Sequence, residues 1–153
     1  MFASNGILFN HESPRRGENF ISRKVIIGII KILKGHQKCL YLGNLKSKRD
    51  WGHAKEFVDA QWKILQYKTP DDFVIATGKN YSVKDLVNLV LKKLKIKYLW
   101  KKDKKGYEYA IAQNDIGQIK KSQTIIKQEK IYFRPNEVHN LVGDYRKATK
   151  LLK

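Results

Sequence analysis

Apolar residues along this chain change their spacing from segment to segment, and each change marks an element. Residues 4–9, ending in Gly6-Ile7-Leu8-Phe9, form a short apolar run that reads as a buried strand. From Asn19 onward the spacing turns helical. Phe20, Ile21, Val25, Ile29 and Leu33 fall on one face, Asn19 is placed to cap the start, and Gly35 is placed to stop the helix. Residues 39–42 make another short strand, closed by the turn pair Gly43-Asn44. A second helix is expected after Trp51-Gly52, because Ala54, Phe57, Val58, Gln61, Trp62 and Leu65 recur at helical intervals.

Thr69-Pro70-Asp71 breaks the chain, and residues 73–76 follow as a continuous apolar run closed by Thr77-Gly78, the pattern of a strand inside a parallel sheet. Ser82 with Asp85 forms a capping signature, and Val83, Leu86, Val87, Val90, Leu91 and Leu94 supply the next helical stripe. Residues 101–130 are polar and weakly patterned, so they read as a variable insertion with a little strand. An apolar strand at 131–133 is expected to end at Arg134-Pro135, and Asp144 to cap a last helix running to Lys153. Strands alternating with helices predict an α/β class.

Composition narrows this picture. The 153 residues suit one domain's worth of chain, and 42% hydrophobic residues with three Trp and eight Tyr exclude disorder. The apolar run at 25–30 is far short of the roughly 20 residues of a membrane span, so no membrane is expected as a partner. Cys39 stands alone, which removes any intramolecular disulfide and favours a reducing, cytoplasmic location. The formal net charge is +18. Eight of the fourteen residues in KKLKIKYLWKKDKK, 92–105, are Lys. No nucleic-acid motif accompanies them, so a solvated surface is the plainer reading and nucleic acid is not expected as a partner.

The candidate chemistry is sparse in motifs. No GxGxxG or Walker loop occurs, and His11, His36, His53 and His139 lack the paired spacings of a metal site, so no metal is assigned. What remains is arginine at strand exits. Ser13-Pro14-Arg15-Arg16-Gly17 follows the first strand, Lys48-Arg49-Asp50-Trp51 precedes a helix, and Arg134-Pro135-Asn136-Glu137 follows the strand expected at 131–133. Taken singly, each reads as a surface ion pair or a helix-start device. Together they occupy the junctions where open α/β sheets hold phosphate-bearing ligands, and three guanidinium groups would suit a diphosphate. Asn10 can donate its amide to such a ligand or bond its own loop backbone. Glu137 can accept from a ribose diol or favour a helix's first turn. His11 can meet a cofactor or serve the loop.

Four blocks carry a resemblance: NGILFNHESPRRGENF, LGNLKSKRDWGHAKEFVDAQW, DFVIATG with YSVKDLV, and YFRPNEVHNLVGDYRKA. In this order they are similar to the second half of the GDP-mannose 4,6-dehydratase family, within the extended short-chain dehydrogenase/reductases. The resemblance covers about residues 1–100 and 131–153. It implies that 1–153 is one incomplete unit, the C-terminal part of a Rossmann-type NAD(P)-binding fold with its substrate-binding subdomain. It also implies NADP as cofactor, GDP-mannose as substrate, dehydration to GDP-4-dehydro-6-deoxy-mannose, and assembly as dimers or tetramers. By matching motif, His11 and Arg16 correspond to cofactor-binding positions, and Asn10, Asn19, Lys24, Arg49, Arg134 and Glu137 to substrate-binding positions. The family's glycine-rich loop, its catalytic Thr and Glu and its TyrxxxLys pair precede the matched region, so no catalytic residue is assigned here. The expectation is a truncated or split reading frame, sticky and inactive alone, which a separate chain carrying the first half would complete. The alternatives are a non-catalytic nucleotide-sugar-binding remnant, another sugar-nucleotide epimerase or dehydratase of the superfamily, and a basic polyanion-binding protein.

Overall fold

Short apolar runs form strands and longer periodic ones form helices in the computed structural model, which describes residues 1–152. In chain order the elements are β1 (Gly6–Leu8), β2 (Asn10–Glu12), α1 (Ile21–Leu33), β3 (Leu40–Leu42), β4 (Lys48–His53), α2 (Ala54–Gln66), β5 (Phe73–Ile75), β6 (Asn80–Ser82) and α3 (Val83–Lys93). They continue with β7 (Tyr98–Lys102), β8 (Glu108–Ala112), β9 (Thr124–Gln128), a 3-10 turn (Lys130–Tyr132) and α4 (Arg146–Leu151). The class is α/β, as the alternation predicts. The chain divides into two units. The first holds residues 1–16, 48–81 and those from 139 on; the second holds 17–47 and 82–138.

In the first unit β1 lies parallel to β5, and β2 lies parallel to β4 with β6 beyond it. The β1–β5 ladder is extended by Phe73 donating to the Asn5 carbonyl and Phe9 to that of Ile75. Phe57, Ile64, Phe73, Ile75 and Ala148 form the core, each large side chain contributing about 1.5–3 kcal/mol by burial. Of the strand expected at 4–9 only Gly6–Leu8 forms, with β2 following beyond Phe9, and it is not buried: Ile7 is 55% exposed. On α2 the core face is Phe57, Ala60 and Ile64, while Val58, Trp62 and Leu65 form a second apolar stripe that lies exposed. His53 caps this helix. Its Nδ1 accepts from the Lys55 N–H, and the Glu56 carboxylate accepts from the His53 N–H.

In the second unit a four-stranded sheet runs in the order β3-β9-β8-β7, parallel at the first pair and antiparallel at the others. Residues 108–112 and 124–128, inside the segment read as an insertion, therefore supply two of its strands. Val25, Ile29 and Ile32 of α1 and Val83, Val87 and Leu91 of α3 pack in one core with Leu40, Leu42, Ala110 and Ile126. The Ser82–Asp85 capping box forms as expected. Gly35, at φ +79°, ends α1 as expected, with the His36 N–H reaching back to the Lys31 carbonyl.

Three local expectations are corrected. Asn19 does not cap α1, because it lies in the turn that Phe20 closes by donating to the Gly17 carbonyl. The helix begins at Ile21 without a side-chain cap. Residues 131–133 are no strand. A 3-10 turn takes their place, and Ile131 has no apolar neighbour layer to bury it. Asp144 does accept the Arg146 N–H, but the residue at the N-cap position of α4 is Tyr145, and Lys153 lies outside the described residues.

Candidate functional site

Strand pairing decides which side chains of the first unit share a face. Asn10, His11 and Glu12 stand in register with Trp51, Gly52 and His53. Paired residues project together and alternate residues share a face. Asn10, Glu12, Arg49 and Trp51 therefore stand on one side, and His11, Asp50 and Gly52 on the other.

The Asn10 side chain makes no hydrogen bond among the described residues. On the opposite face the His11 ring lies stacked on Phe57, centroids 5.0 Å apart, and its Nδ1 sits 2.9 Å from the Phe9 carbonyl oxygen. A carbonyl can only accept, so Nδ1 carries the proton and Nε2 is the nitrogen left for a ligand. Gly52 permits this stack, since a Cβ there would overlap the Phe57 ring.

Arg16 closes the loop that starts at β2. Its Nη1 donates to the His11 carbonyl and its Nε lies 3.3 Å from the Glu12 carboxylate. The guanidinium thus fixes the loop's shape at the strand's exit, while Arg15 stands exposed beside it. Arg49 donates to the Lys48 carbonyl and is half-buried.

Asp50 anchors this arrangement from below. Fully buried, it accepts the Thr77 N–H at 2.9 Å, the Thr77 hydroxyl at 2.6 Å, the Gly78 N–H at 2.9 Å and the Gly143 N–H at 3.2 Å. One carboxylate so ties β4 to the exit of β5 and to the segment before α4. Gly78, at φ +72°, and Gly143 leave room for Tyr145 and Ala76 respectively. Sequence reading passed over Asp50; the available signal was a lone acid inside a run destined for a strand interior. Beside it the Arg146 guanidinium forks onto Asp144 and, with the Arg146 N–H, holds that exposed carboxyl down to about 2. A cleft of about 360 Å³ in the same unit is lined by Phe57, Ala60, Lys63, Val74, Thr77 and Tyr145. None of the residues expected from sequence lines it.

The second unit holds the remaining candidates. Lys24 of α1 places its ammonium 4.7 Å from the centroid of the Tyr132 ring, a cation–π contact. Arg134 and Glu137 follow in the loop after the 3-10 turn, Arg134 exposed and Glu137 half-buried, and Asn19 is exposed in the turn before α1. Gly43 sets where this loop starts: a Cβ there would overlap the Tyr132 carbonyl. Cys39, just before β3, has its thiol pushed up to about 11, chiefly by burial, with Lys127 opposing and Glu129 adding. Its alkylation by iodoacetamide at pH 8 is expected to be about tenfold slower in the folded than in the urea-unfolded chain. The thiolate fraction falls about 100-fold, and the higher nucleophilicity of a more basic thiolate recovers part of that. Equal rates would contradict the burial.

Among the described residues no group of His, Cys, Asp and Glu could hold a metal ion, and no helix is long and apolar enough to cross a membrane.

Against known proteins, the model of the family described as GDP-mannose 4,6 dehydratase matches residues 1–153. The chain is 46% identical to the GDP-mannose 4,6-dehydratase of Vibrio cholerae, covering 99% of this chain and 42% of that protein. It is 46% identical to GDP-mannose 4,6 dehydratase 2 of Caenorhabditis elegans, covering 99% and 38%, and 43% identical to the human GDP-mannose 4,6 dehydratase, covering 99% and 39%. The chain thus spans about two fifths of the length of the curated relatives it matches. In fold it is similar to RMD from Pseudomonas aeruginosa, solved with NADPH, at TM-score 0.66 and 15% identity over 95% of this chain and 39% of that one. It is likewise similar to dTDP-glucose 4,6-dehydratase from Bacillus anthracis, solved with NAD, at TM-score 0.64 and 15% identity over 95% and 37%. The fold is that of the corresponding part of these solved structures.

Proposed function

The chain belongs to the GDP-mannose 4,6-dehydratase family, and from that premise we propose that it carries part of the binding machinery for GDP-mannose and NADP in a dehydratase of that specificity. The reaction is GDP-D-mannose to GDP-4-dehydro-6-deoxy-D-mannose plus water. One observation carries the reading: identity of 43–46% to dehydratases of this name extends over 99% of the chain. Because the chain matches about 40% of their length, activity is read as belonging to a longer assembly, in which a further segment or a separate chain supplies the proton-transfer groups.

The donor set fits a phosphorylated cofactor. His11 keeps Nε2 for it, and Arg16 holds the loop and its positive charge at the strand's exit. When bound, NADP supplies the acceptor and donor of hydride for the dehydration. Asn10 and Arg49, on one face of β2 and β4, are assigned to the substrate diphosphate. In the second unit Arg134 is assigned to phosphate oxygens, Glu137 to the ribose hydroxyls, and Asn19 and Lys24 to the nucleotide. A reducing, cytoplasmic setting suits the lone Cys39.

Joining this chain to the N-terminal part of the Vibrio cholerae relative, as a fusion or by coexpression, tests the proposal. Loss of GDP-mannose with gain of the 4-dehydro-6-deoxy product is expected from the joined protein and not from the chain alone. In that protein Arg49→Ala and Arg134→Ala should each raise KM about 10-fold or more with kcat nearly unchanged, as for lost charge-assisted hydrogen bonds. A joined protein that folds and binds NADP yet leaves GDP-mannose intact would overturn the assignment.

A further inference from the structure

The sheet of the second unit is covered by α1 and α3 on one face only, and strand register shows what stands on the other. Tyr41 pairs with Lys127, Lys127 with Tyr109, and Tyr109 with Lys101. A single row therefore crosses all four strands in the order Tyr, Lys, Tyr, Lys. Buried Leu40, Leu42, Ala110 and Ile126 alternate with it and point to the helices, which fixes the row on the open side. Tyr41 is 39% exposed, the Lys127 side chain 45%, Tyr109 is half-buried, and Lys101 is exposed. In the neighbouring row Leu99, 48% exposed, stands beside Ile111 and Thr124. Strands lie about 4.8 Å apart, so the two rings stand about 10 Å apart with an ammonium between them.

Charge around this face is one-sided. The second unit holds twenty Lys and Arg against seven Asp and Glu, a surplus of thirteen of the chain's eighteen. None of the eight lysines in 92–105 has an ion pair among the described residues, and Lys104 and Lys105 crown the β7–β8 turn where the row ends. Asp103, the acid in that turn, is occupied by the Lys105 and Tyr107 N–H groups. Glu108 pairs with Lys84 on the helix-covered face, which leaves Glu129, 3.5 Å from Lys127, as the carboxylate beside the row.

We propose that this open face binds single-stranded RNA, its bases stacking on Tyr41 and Tyr109 and its phosphates meeting Lys101, Lys127, Lys104 and Lys105. Rings set among cations on an exposed sheet suit unpaired bases, whose flat faces are free, whereas duplexes keep theirs stacked internally. An acidic protein would use the lysines and be indifferent to the tyrosines. The activity is separate from nucleotide-sugar chemistry and does not rest on it. The lysine tract alone did not disclose it, because the tyrosines come from strands distant in sequence.

Fluorescence anisotropy of the full chain with a labelled oligouridine of about 12 nucleotides, at about 50 and about 200 mM salt, tests this. Tyr41→Ala with Tyr109→Ala should weaken binding about 10-fold or more while leaving the salt dependence unchanged. Lys101→Gln with Lys127→Gln should lower the slope of log affinity against log salt by about 1.4, two phosphate contacts' worth. Unchanged affinity after loss of both tyrosines overturns the proposal, as does absence of binding at the lower salt. Photocrosslinking of the unaltered chain to a 4-thiouridine oligomer guards against variants that misfold. Adducts on the peptides holding Tyr41 and Tyr109 support the platform, and adducts confined to other peptides overturn it.

Discussion

Replacing Asp50 by alanine is expected to lower the stability of the first unit by about 3–5 kcal/mol, the largest effect of any single substitution at the site. The loss is steep because the carboxylate serves three backbone N–H groups and a hydroxyl at once. Donors left without an acceptor each retain a desolvation penalty in proportion to their burial, and the carboxylate they meet is fully buried. Hydrogen exchange at the amides of Thr77, Gly78 and Gly143 reads the effect directly. Their protection should collapse in the variant, while amides of β8 and β9 in the second unit keep theirs. Asp50→Asn should fall between, because its amide retains one oxygen and presents an NH2 group to donors on the other side. Undiminished protection at all three amides in Asp50→Ala would refute the anchoring role.

Gly43→Ala is expected to cost about 2 kcal/mol in the second unit and to disturb the loop that carries Arg134 and Glu137 as well. The added methyl would meet the Tyr132 carbonyl, a backbone atom that cannot swing aside as a side chain would. Relief requires the 3-10 turn to move. Tyr132 carries the Lys24 contact, and Arg134 and Glu137 follow it in the chain, so their placement moves too. In the protein joined to the N-terminal part of the Vibrio cholerae relative, as proposed above, KM for GDP-mannose should rise several-fold along with the loss in melting temperature. Gly106→Ala is the control. Its glycine, unlike Gly43, sits at positive φ (+83°), but nothing lies within 4 Å of an added Cβ, so the change should cost about 1 kcal/mol of backbone strain and leave KM alone. Equal KM values for the two variants would separate Gly43 from the loop.

What the amino-acid sequence disclosed was local. The Ser82–Asp85 box and the Gly35 stop depend on residues three or four apart, and both formed as read. The stripe of α3 was legible for the same reason, since one face of that helix meets one core. On α2 the spacing showed apolar residues without saying which would be covered. Of the expected stripe Phe57 found neighbours, as did Ile64 outside it, while Val58, Trp62 and Leu65 did not. Asn19 had the chemistry of a cap, but the turn closed by Phe20 started the helix two residues later. Asp50 stayed hidden because its nearest partner is 27 residues away, and the Tyr–Lys row because Tyr41 joins it from a strand remote in sequence from the other three, which only strand pairing and burial disclose. Among the site residues, the loop from Asn10 to Arg16 was readable as a strand exit. Its internal fastening by Arg16 was not.

Two helices start where a strand stops, with no residue between. His53 ends β4 and caps α2; Ser82 ends β6 and caps α3. Such joints have no slack. One added residue would advance the helical phase by about 100°, carrying Phe57 and Ile64, or Val87 and Leu91, out toward water. Lineages can exchange side chains at these two hinges, but they cannot lengthen them, so insertions and deletions must accumulate elsewhere, as in the turn around Gly106.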